Sequence, residues 1–249
     1  MLPTALGGLI NLIIFGFIAY LIKVKYYSNG KDKTLGYFMK YFFYMTVFML
    51  IFVIPQIFMP QNSKALALGY IFGHRIFLVI AQAYLFVVFL KLWNKEKWIK
   101  PTFIIIYALG IVLLILNIIK ISNPITLPSG VIDWNYHPLV GQLTGLFSML
   151  IGLPPLIFFI IRIIKTTENH VRLRAALITL GLLITAIGGP LHDMVTTISL
   201  YRLADVMTLG GLIIVFGGVL YKIPVEAGKF QFTKTGELAV RVKSSPISS

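Results

Sequence analysis

Seven apolar stretches constrain this sequence more than any other feature. A transmembrane helix needs about 20 mostly apolar residues, and each stretch reaches that length. Charged residues make up only 12% of the chain, against roughly 25% in a soluble domain. A water-soluble enzyme, an ordinary nucleic-acid-binding domain and a disordered protein are therefore excluded. The predicted spans cover residues 5–25, 36–59, 66–93, 101–121, 138–162, 172–200 and 204–222.

These spans predict an all-α fold, a polytopic bundle of seven transmembrane helices. Residues 1–224 form one seven-transmembrane domain, with no second soluble domain. Residues 225–249 are expected to be a short, basic cytoplasmic tail. Its composition, Ser-rich at the end, predicts that it is flexible.

The basic residues predict the orientation of the bundle. Of the 22 Lys and Arg residues, 18 lie on one side, in or near the first, third and fifth loops and the tail. The other side has only Lys64, Lys120 and Arg202. Because cytoplasmic loops are enriched in Lys and Arg, we expect the N-terminus outside, the C-terminus inside, and a multi-pass protein of the cell membrane.

The basic inner face also bears on partners. Anionic lipid headgroups would be attracted to it, and an acidic membrane or cytoplasmic protein is the alternative partner. Because positive-inside bias alone explains the net charge of +14, no nucleic-acid partner is predicted.

Ionisable residues inside the predicted spans mark the candidate site, since charges in the bilayer are costly and usually functional. At 1.5 Å per residue, His74 lies roughly 12 Å and His192 roughly 10 Å from the outer surface. The two histidines, with Arg75 and Asp193 beside them, are therefore expected at one level. The full predicted ligand-binding set is Tyr70, His74, Arg75, Gln142, His192, Asp193 and Asp205.

Roles within this set follow from charge. Arg75 is expected to hold Asp193 or an anionic ligand, and the histidines would make ligand binding pH-dependent. The alternative is that an Arg75–Asp193 ion pair only fixes the register of the helices.

No cofactor is predicted, and metal or haem remains the alternative. The absence of cysteine excludes thiolate ligands. His74 and His192 at equal depth could hold a haem, and His74, His137 and His192 could contribute to a metal site. No His-x-x-x-His spacing occurs within a span, so the metal signal is weak.

Two further features bear on packing and access. Gly69 to Gly73 and Gly141 to Gly145 are small-xxx-small motifs, which predict close helix approach. The longest outer loop, residues 122–137, contains Trp134 and predicts either a lid over the site or an interfacial anchor.

The end of the membrane part resembles a known family. The residues concerned are Arg172-Leu173-Arg174, Gly181, Asp193, Tyr201-Arg202-Leu203 and Val219-Leu220-Tyr221-Lys222-Ile223-Pro224. They are similar to the last two helices of the seven-helix sensor region at the N-terminus of many prokaryotic histidine kinases. The resemblance implies an N-out, C-in sensor. This chain contains no kinase module, so a separate signalling partner is expected.

The sequence therefore predicts a prokaryotic, receptor-like membrane sensor with a polar pocket in the outer half of the bundle, and it points away from an enzyme. Two alternatives stay open. One is an accessory structural subunit of a multi-protein membrane complex. The other is a haem- or metal-binding membrane redox protein.

Overall fold

Seven long helices account for nearly all of the structure, a computed structural model that describes residues 2–28, 31–194, 196–221, 230–232 and 238–240. Each helix is long and apolar enough to cross a membrane. The all-α prediction is confirmed in this part of the chain. Seven such helices indicate a multi-pass membrane protein. The helices are α1 (Pro3–Ser28), α2 (Lys33–Phe58), α3 (Ser63–Leu92), α4 (Ile99–Ile119), α5 (Pro138–Lys165), α6 (Asn169–Met194) and α7 (Ile198–Leu220).

Short strands lie in the longest loop and in the tail. β1 (Ile125–Thr126) pairs antiparallel with β2 (Ile132–Asp133), forming a hairpin between α4 and α5. In the tail, β3 (Phe230–Phe232) pairs antiparallel with β4 (Leu238–Val240). The rest of 222–249 lies outside the described residues, so the flexibility of the tail stays a prediction.

The helices pack in chain order, and α1 also packs against α7, which closes the bundle. α3 is the most buried of the seven and contacts α2, α4 and α5. Its buried residues Ala81 and Val88 share a core with Phe15 of α1, Phe42 of α2 and Leu212 of α7. The outward faces are apolar and exposed, as expected for helices in contact with lipid. Examples are Phe17, Ile104, Ile118, Met149, Ile187 and Val206.

The bundle has two ends of different character. The end that contains the β1–β2 hairpin, the N-terminus of α1 and the α2–α3 and α6–α7 connections is called the hairpin end. The opposite end, called the basic end, holds the α1–α2, α3–α4 and α5–α6 connections with most of the lysines and arginines. Which end faces the outside stays a prediction.

α6 and α7 form the tightest helix pair, with direct contact between their backbones. A Cβ atom added at Gly181 would lie 2.4 Å from the carbonyl oxygen of Gly211, and one at Gly211 would lie 2.7 Å from that of Gly181. Only residues without a side chain allow this approach.

The two small-xxx-small motifs behave differently. A Cβ atom at Gly69 would lie 2.6 Å from Pro55, and one at Gly73 would lie 3.2 Å from Phe48, so α2 and α3 do approach closely here. Gly141 and Gly145 meet nothing within 4 Å. The prediction for this second motif is wrong within the chain, because these glycines face away from the bundle.

The boundary between the last two spans also differs from the prediction. α6 ends at Met194 rather than near residue 200, and α7 begins at Ile198, six residues earlier than predicted. Thr197 precedes α7 in an extended conformation (φ −104°, ψ 145°), as is usual for the residue before a helix. Apolar Ile198 and Leu200 therefore belong to the start of α7.

Candidate functional site

A π-helical segment interrupts α3 at the predicted site. Residues Gly73–Leu78, with the sequence Gly-His-Arg-Ile-Phe-Leu, form this wider turn between two α-helical parts. π-helical turns are rare and occur frequently at functional sites. The segment sets the directions in which His74 and Arg75 project into the bundle.

Arg75 is buried and held by neutral groups. Only 5% of the surface of Arg75 is exposed. Nε donates a hydrogen bond to Oδ1 of Asn117 on α4 (2.8 Å), and Nη2 donates to the hydroxyl of Tyr70 (3.5 Å). The guanidinium carbon also lies 5.4 Å from the centre of the Tyr70 ring. A buried cation with only neutral partners among the described side chains is costly and calls for an anion nearby.

The predicted anion for Arg75, Asp193, cannot be assigned to this contact. The backbone of residue 193 continues α6, but its side chain lies outside the described residues. The Arg75–Asp193 ion pair therefore stays a prediction.

His74 is enclosed by aromatic rings. Its imidazole stacks on Tyr70 with ring centres 3.9 Å apart and meets the edges of Phe48 (4.7 Å) and Phe52 (5.2 Å). Nδ1 is buried and has no hydrogen-bond partner within the described part of the chain.

The β1–β2 hairpin covers this aromatic group. Trp134, which is 2% exposed, stacks on Phe52 at 5.0 Å and contacts Tyr70 at 5.2 Å. Tyr136 lies 4.8 Å from Tyr70. The loop thus covers Tyr70 and Phe52, two of the rings that contact His74, and Trp134 packs into the bundle rather than out toward the lipid.

Polar contacts attach the hairpin to three parts of the bundle. Thr4 of α1 donates to the carbonyl of Gly130 (3.3 Å), and Ser129 donates to the carbonyl of Thr196 (3.5 Å). Thr126 donates to the carbonyl of Pro60 in the α2–α3 turn. The hairpin therefore connects α1, the α2–α3 turn and the α6–α7 loop.

A second polar group joins α1, α6 and α7. Nε2 of His192 lies 3.4 Å from Oδ1 of Asp205, and Nδ2 of Asn11 donates to the same oxygen at 3.4 Å. Gly7 lies directly against this carboxylate, since a Cβ atom there would be 2.1 Å from Oδ2. The ring of Tyr201 meets the edge of His192 at 4.9 Å.

The two groups are neighbours. His192 is close enough to His74 for a Coulombic interaction between the imidazoles. We call the residues around both groups the polar cluster: Asn11, Tyr70, His74, Arg75, Asn117, His192 and Asp205.

Several buried polar atoms in and beside this cluster have no hydrogen-bond partner among the described residues. They are Oδ1 of Asn11, Oε1 of Gln56, Nδ1 of His74, Nδ2 of Asn117 and Oγ1 of Thr208. Four of these residues are less than 9% exposed. Buried polar groups are normally paired with protein or water. These atoms can therefore form hydrogen bonds with a further molecule bound in this part of the bundle.

Gln142 and His137 stand apart from the cluster. Gln142 is exposed on α5 and is absent from the contacts described above. His137 is exposed and begins α5, where its Nδ1 accepts a hydrogen bond from the backbone N–H of Leu139 (3.3 Å). The alternative metal set of His74, His137 and His192 is not gathered, since the described His, Asp and Glu residues form no group of three possible ligands.

Neutral amides are the functional candidates that sequence reasoning missed. Asn11 is 3% exposed and Asn117 is fully buried, yet each pairs with a charged residue that was predicted. A rare polar residue inside an otherwise apolar span is the signal that would have found them.

A surface depression of about 660 Å³ lies at the α2–α3 turn, lined by Phe58, Met59, Pro60, Gln61, Asn62, Ser63 and Lys64. Its lining includes no member of the polar cluster.

No known protein family and no curated protein matches the sequence. The resemblance to the sensor regions of histidine kinases therefore stays a prediction.

Proposed function

We propose that this multi-pass membrane protein is a receptor-like sensor that binds a small polar ligand in the hairpin half of the bundle. The observation that supports this most is the set of buried polar atoms of α1, α2, α3, α4 and α7 that have no partner among the residues the structure describes. Binding sites commonly combine apolar walls with a few converging polar groups, and the aromatic rings around His74 supply such walls.

The hairpin supports a role in access to this site. Trp134 and Tyr136 cover Tyr70. The hairpin is attached to the bundle by ring contacts and single side-chain hydrogen bonds. A ligand that arrives at the hairpin end would displace the hairpin or pass beside it. Closure of a loop over a site excludes water and strengthens polar contacts inside.

The α6–α7 pair is the part of the bundle best placed to respond. His192 and Asp205 link α6 and α7 in the hairpin half. Gly181 of α6 and Gly211 of α7 bring the two backbones together. At the basic end, Arg174 of α6 donates to the carbonyls of Gly218 and Val219 at the end of α7, both at 3.1 Å. A ligand that alters the His192–Asp205 contact would therefore act on a helix pair connected along its length.

Output would occur at the basic end. We place this end in the cytoplasm of a prokaryotic cell, in the cell membrane, beside anionic lipids and a separate signalling partner. The distribution of Lys and Arg supports this orientation.

The test uses full-length protein purified gently from its native membrane. Native mass spectrometry should find a small organic molecule bound to the wild type. Arg75→Gln should lose it, while Lys97→Gln, a matched change at the basic end, should keep it. A bound molecule that survives Arg75→Gln would overturn the proposed site, as would a wild type with no adduct and no thermal stabilisation by any of a panel of metabolites.

The same sample separates the redox alternative. An absorption spectrum with a Soret band, or a stoichiometric metal by elemental analysis, would place His74 and His192 at a redox or metal centre and overturn the sensor proposal. A colourless, metal-free protein with bound ligand supports it.

An accessory-subunit role has one specific observation in its favour. Gly141, Gly145 and Gly152 of α5 meet nothing within 4 Å, and they repeat at intervals that place them on one helix face. A helix of another subunit would fit closely there. Stoichiometric co-purification of another membrane protein that is lost in Gly145→Leu, and kept in Gly217→Leu on α7, where an added Cβ atom also meets nothing within 4 Å, would support this second function.

A further inference from the structure

The polar cluster separates hydrogen-bond donors from acceptors, and the charges separate in the same way. On the α3–α4 side lies the cation, Arg75. On the α1–α7 side lies the anion, Asp205. His74 precedes Arg75 on α3, and His192 contacts Asp205. We propose that the ligand is a small zwitterion, with a carboxylate at one end and an ammonium group at the other, as in an α-amino acid. This inference rests on the proposed function and specifies the chemistry of its ligand.

The α3–α4 side offers donors. Arg75 uses Nε and Nη2 for neutral partners, and a guanidinium has five N–H groups in all. Oδ1 of Asn117 accepts a hydrogen bond from Arg75. The other polar atom of this side chain, the donor Nδ2, is buried without an acceptor among the described residues. A planar carboxylate is the acceptor that such a group of N–H donors matches best.

The α1–α7 side offers acceptors. Nδ2 of Asn11 donates to Asp205, so the unpartnered atom of this amide is its oxygen. Together with the carboxylate of Asp205, this oxygen suits a cationic donor. An ammonium group has three N–H bonds to give and accepts none.

The geometry limits the ligand to a small molecule. His74 on one side and His192 on the other are close enough for an electrostatic interaction, and the rings of Tyr70, Phe48 and Phe52 enclose His74. A chain of ordered water molecules is the competing occupant, because water also satisfies lone donors and acceptors. A site that holds only water would not bind a free amino acid more tightly than forms that lack the carboxylate or the ammonium group. Ligand binding therefore distinguishes the two occupants.

The experiment compares three matched ligand series on the full-length wild-type protein in nanodiscs. The first series is free amino acids, the second their primary amides, which lack the carboxylate, and the third their N-acetyl forms, which lack the ammonium group. Thermal unfolding measures binding, since a ligand of the folded state raises the melting temperature. At least one free amino acid should bind, with both blocked forms at least about tenfold weaker, because each leaves a buried charge unpaired.

Two variants assign the ends. Arg75→Gln should abolish the preference for the free acid over the amide, and Asp205→Asn should abolish the preference for the free amine over the N-acetyl form. Gln142→Ala, exposed on α5, is the control and should change neither preference. The comparison of ligand series on the wild type remains decisive even where a variant fails to fold.

The outcomes separate this inference from the function on which it rests. If an amide or N-acetyl form binds as tightly as the free amino acid, or if only a non-zwitterionic metabolite binds and is lost in Arg75→Gln, the zwitterion is overturned and the sensor stands. If no amino acid binds, the zwitterion is overturned. If no molecule co-purifies and no metabolite binds either, the sensor fails as well.

Discussion

Oδ1 of Asp205 lies 3.4 Å from Nε2 of His192, and this contact joins α7 to α6 inside the hairpin half of the bundle. Asn11 of α1 donates to the same oxygen. One carboxylate oxygen therefore connects three helices, at the place where the first helix of the bundle meets the last two.

The contact between Asn11 and Asp205 should contribute measurably to stability. In a double-mutant cycle of Asn11→Ala and Asp205→Ala, we expect a coupling energy of about 0.6 kcal/mol, with about 1.7 kcal/mol as the upper end for hydrogen bonds between membrane helices. The free energy of unfolding in mild detergent is the measurement. Strictly additive single changes would contradict the hydrogen bond.

Gly7→Ala should destabilise the protein, because the new Cβ atom would lie 2.1 Å from Oδ2 of Asp205. The carboxylate would have to turn away and lose His192 and Asn11, at a cost of about 1–3 kcal/mol for an overpacked site. Gly16→Ala on the same helix is the control, since its Cβ atom would make an ordinary contact with Thr46 at 3.6 Å. Equal melting temperatures for the two variants would argue against the Gly7–Asp205 contact.

The α6–α7 contact gives a sharper comparison, because neighbouring glycines differ in their surroundings. At Gly211 a Cβ atom would lie 2.4 Å from Oγ1 of Thr185 and 2.7 Å from the backbone oxygen of Gly181, whereas Gly210 meets nothing within 4 Å. Gly211→Ala should cost about 1–3 kcal/mol, and Gly210→Ala should stay within about 0.5 kcal/mol of the wild type. Thermal unfolding measures both, and a larger loss for Gly210→Ala would refute the packing described here.

The positions of the seven helices could be predicted from the sequence, because a membrane span needs about 20 apolar residues and little else resembles that pattern. The start of α7 could not, since Ile198 and Leu200 are as apolar as the spans on either side. The Gly181–Gly211 contact was also missed. Gly211 belongs to no small-xxx-small motif, and only the three-dimensional path of α6 and α7 brings it to Gly181.

For the site, the ionisable residues could be found from their rarity in apolar spans, and the structure brings His192 to Asp205 and Tyr70 to both His74 and Arg75. Their partners could not be found in the same way. Asn117 reaches Arg75 because a π-helical segment sets the direction of that side chain, and no sequence pattern predicts such a segment. Gln142 belongs to the predicted set, yet the structure leaves it exposed on α5.

The orientation of the bundle can be tested with the two lysines at opposite ends of α4. The chain has no cysteine, so Lys97→Cys and Lys120→Cys are single-cysteine variants, and both positions are exposed. If the hairpin end is outside, a membrane-impermeant maleimide should label Lys120→Cys in intact cells and Lys97→Cys only after permeabilisation. The reverse pattern would show an inverted bundle and would place the polar cluster on the cytoplasmic side.

Asn117 is a partner of Arg75 in the structure, Asp193 is the partner that the sequence predicts, and the two can be compared with the same measurement. Asn117 accepts from Nε at 2.8 Å, so the cycle of Arg75→Ala and Asn117→Ala should show a coupling energy of about 1 kcal/mol.

If Asp193 also pairs with Arg75, Asp193→Asn alone should lower the free energy of unfolding. Part of that loss should be recovered when Arg75→Ala is added, because the double variant no longer buries an unpaired charge. If Asp193→Asn leaves stability unchanged while ligand binding is lost, the aspartate does not fix helix register. If Arg75 and Asn117 prove additive, the hydrogen bond between them contributes nothing, and the anion that Arg75 requires has to come from Asp193 or from the ligand.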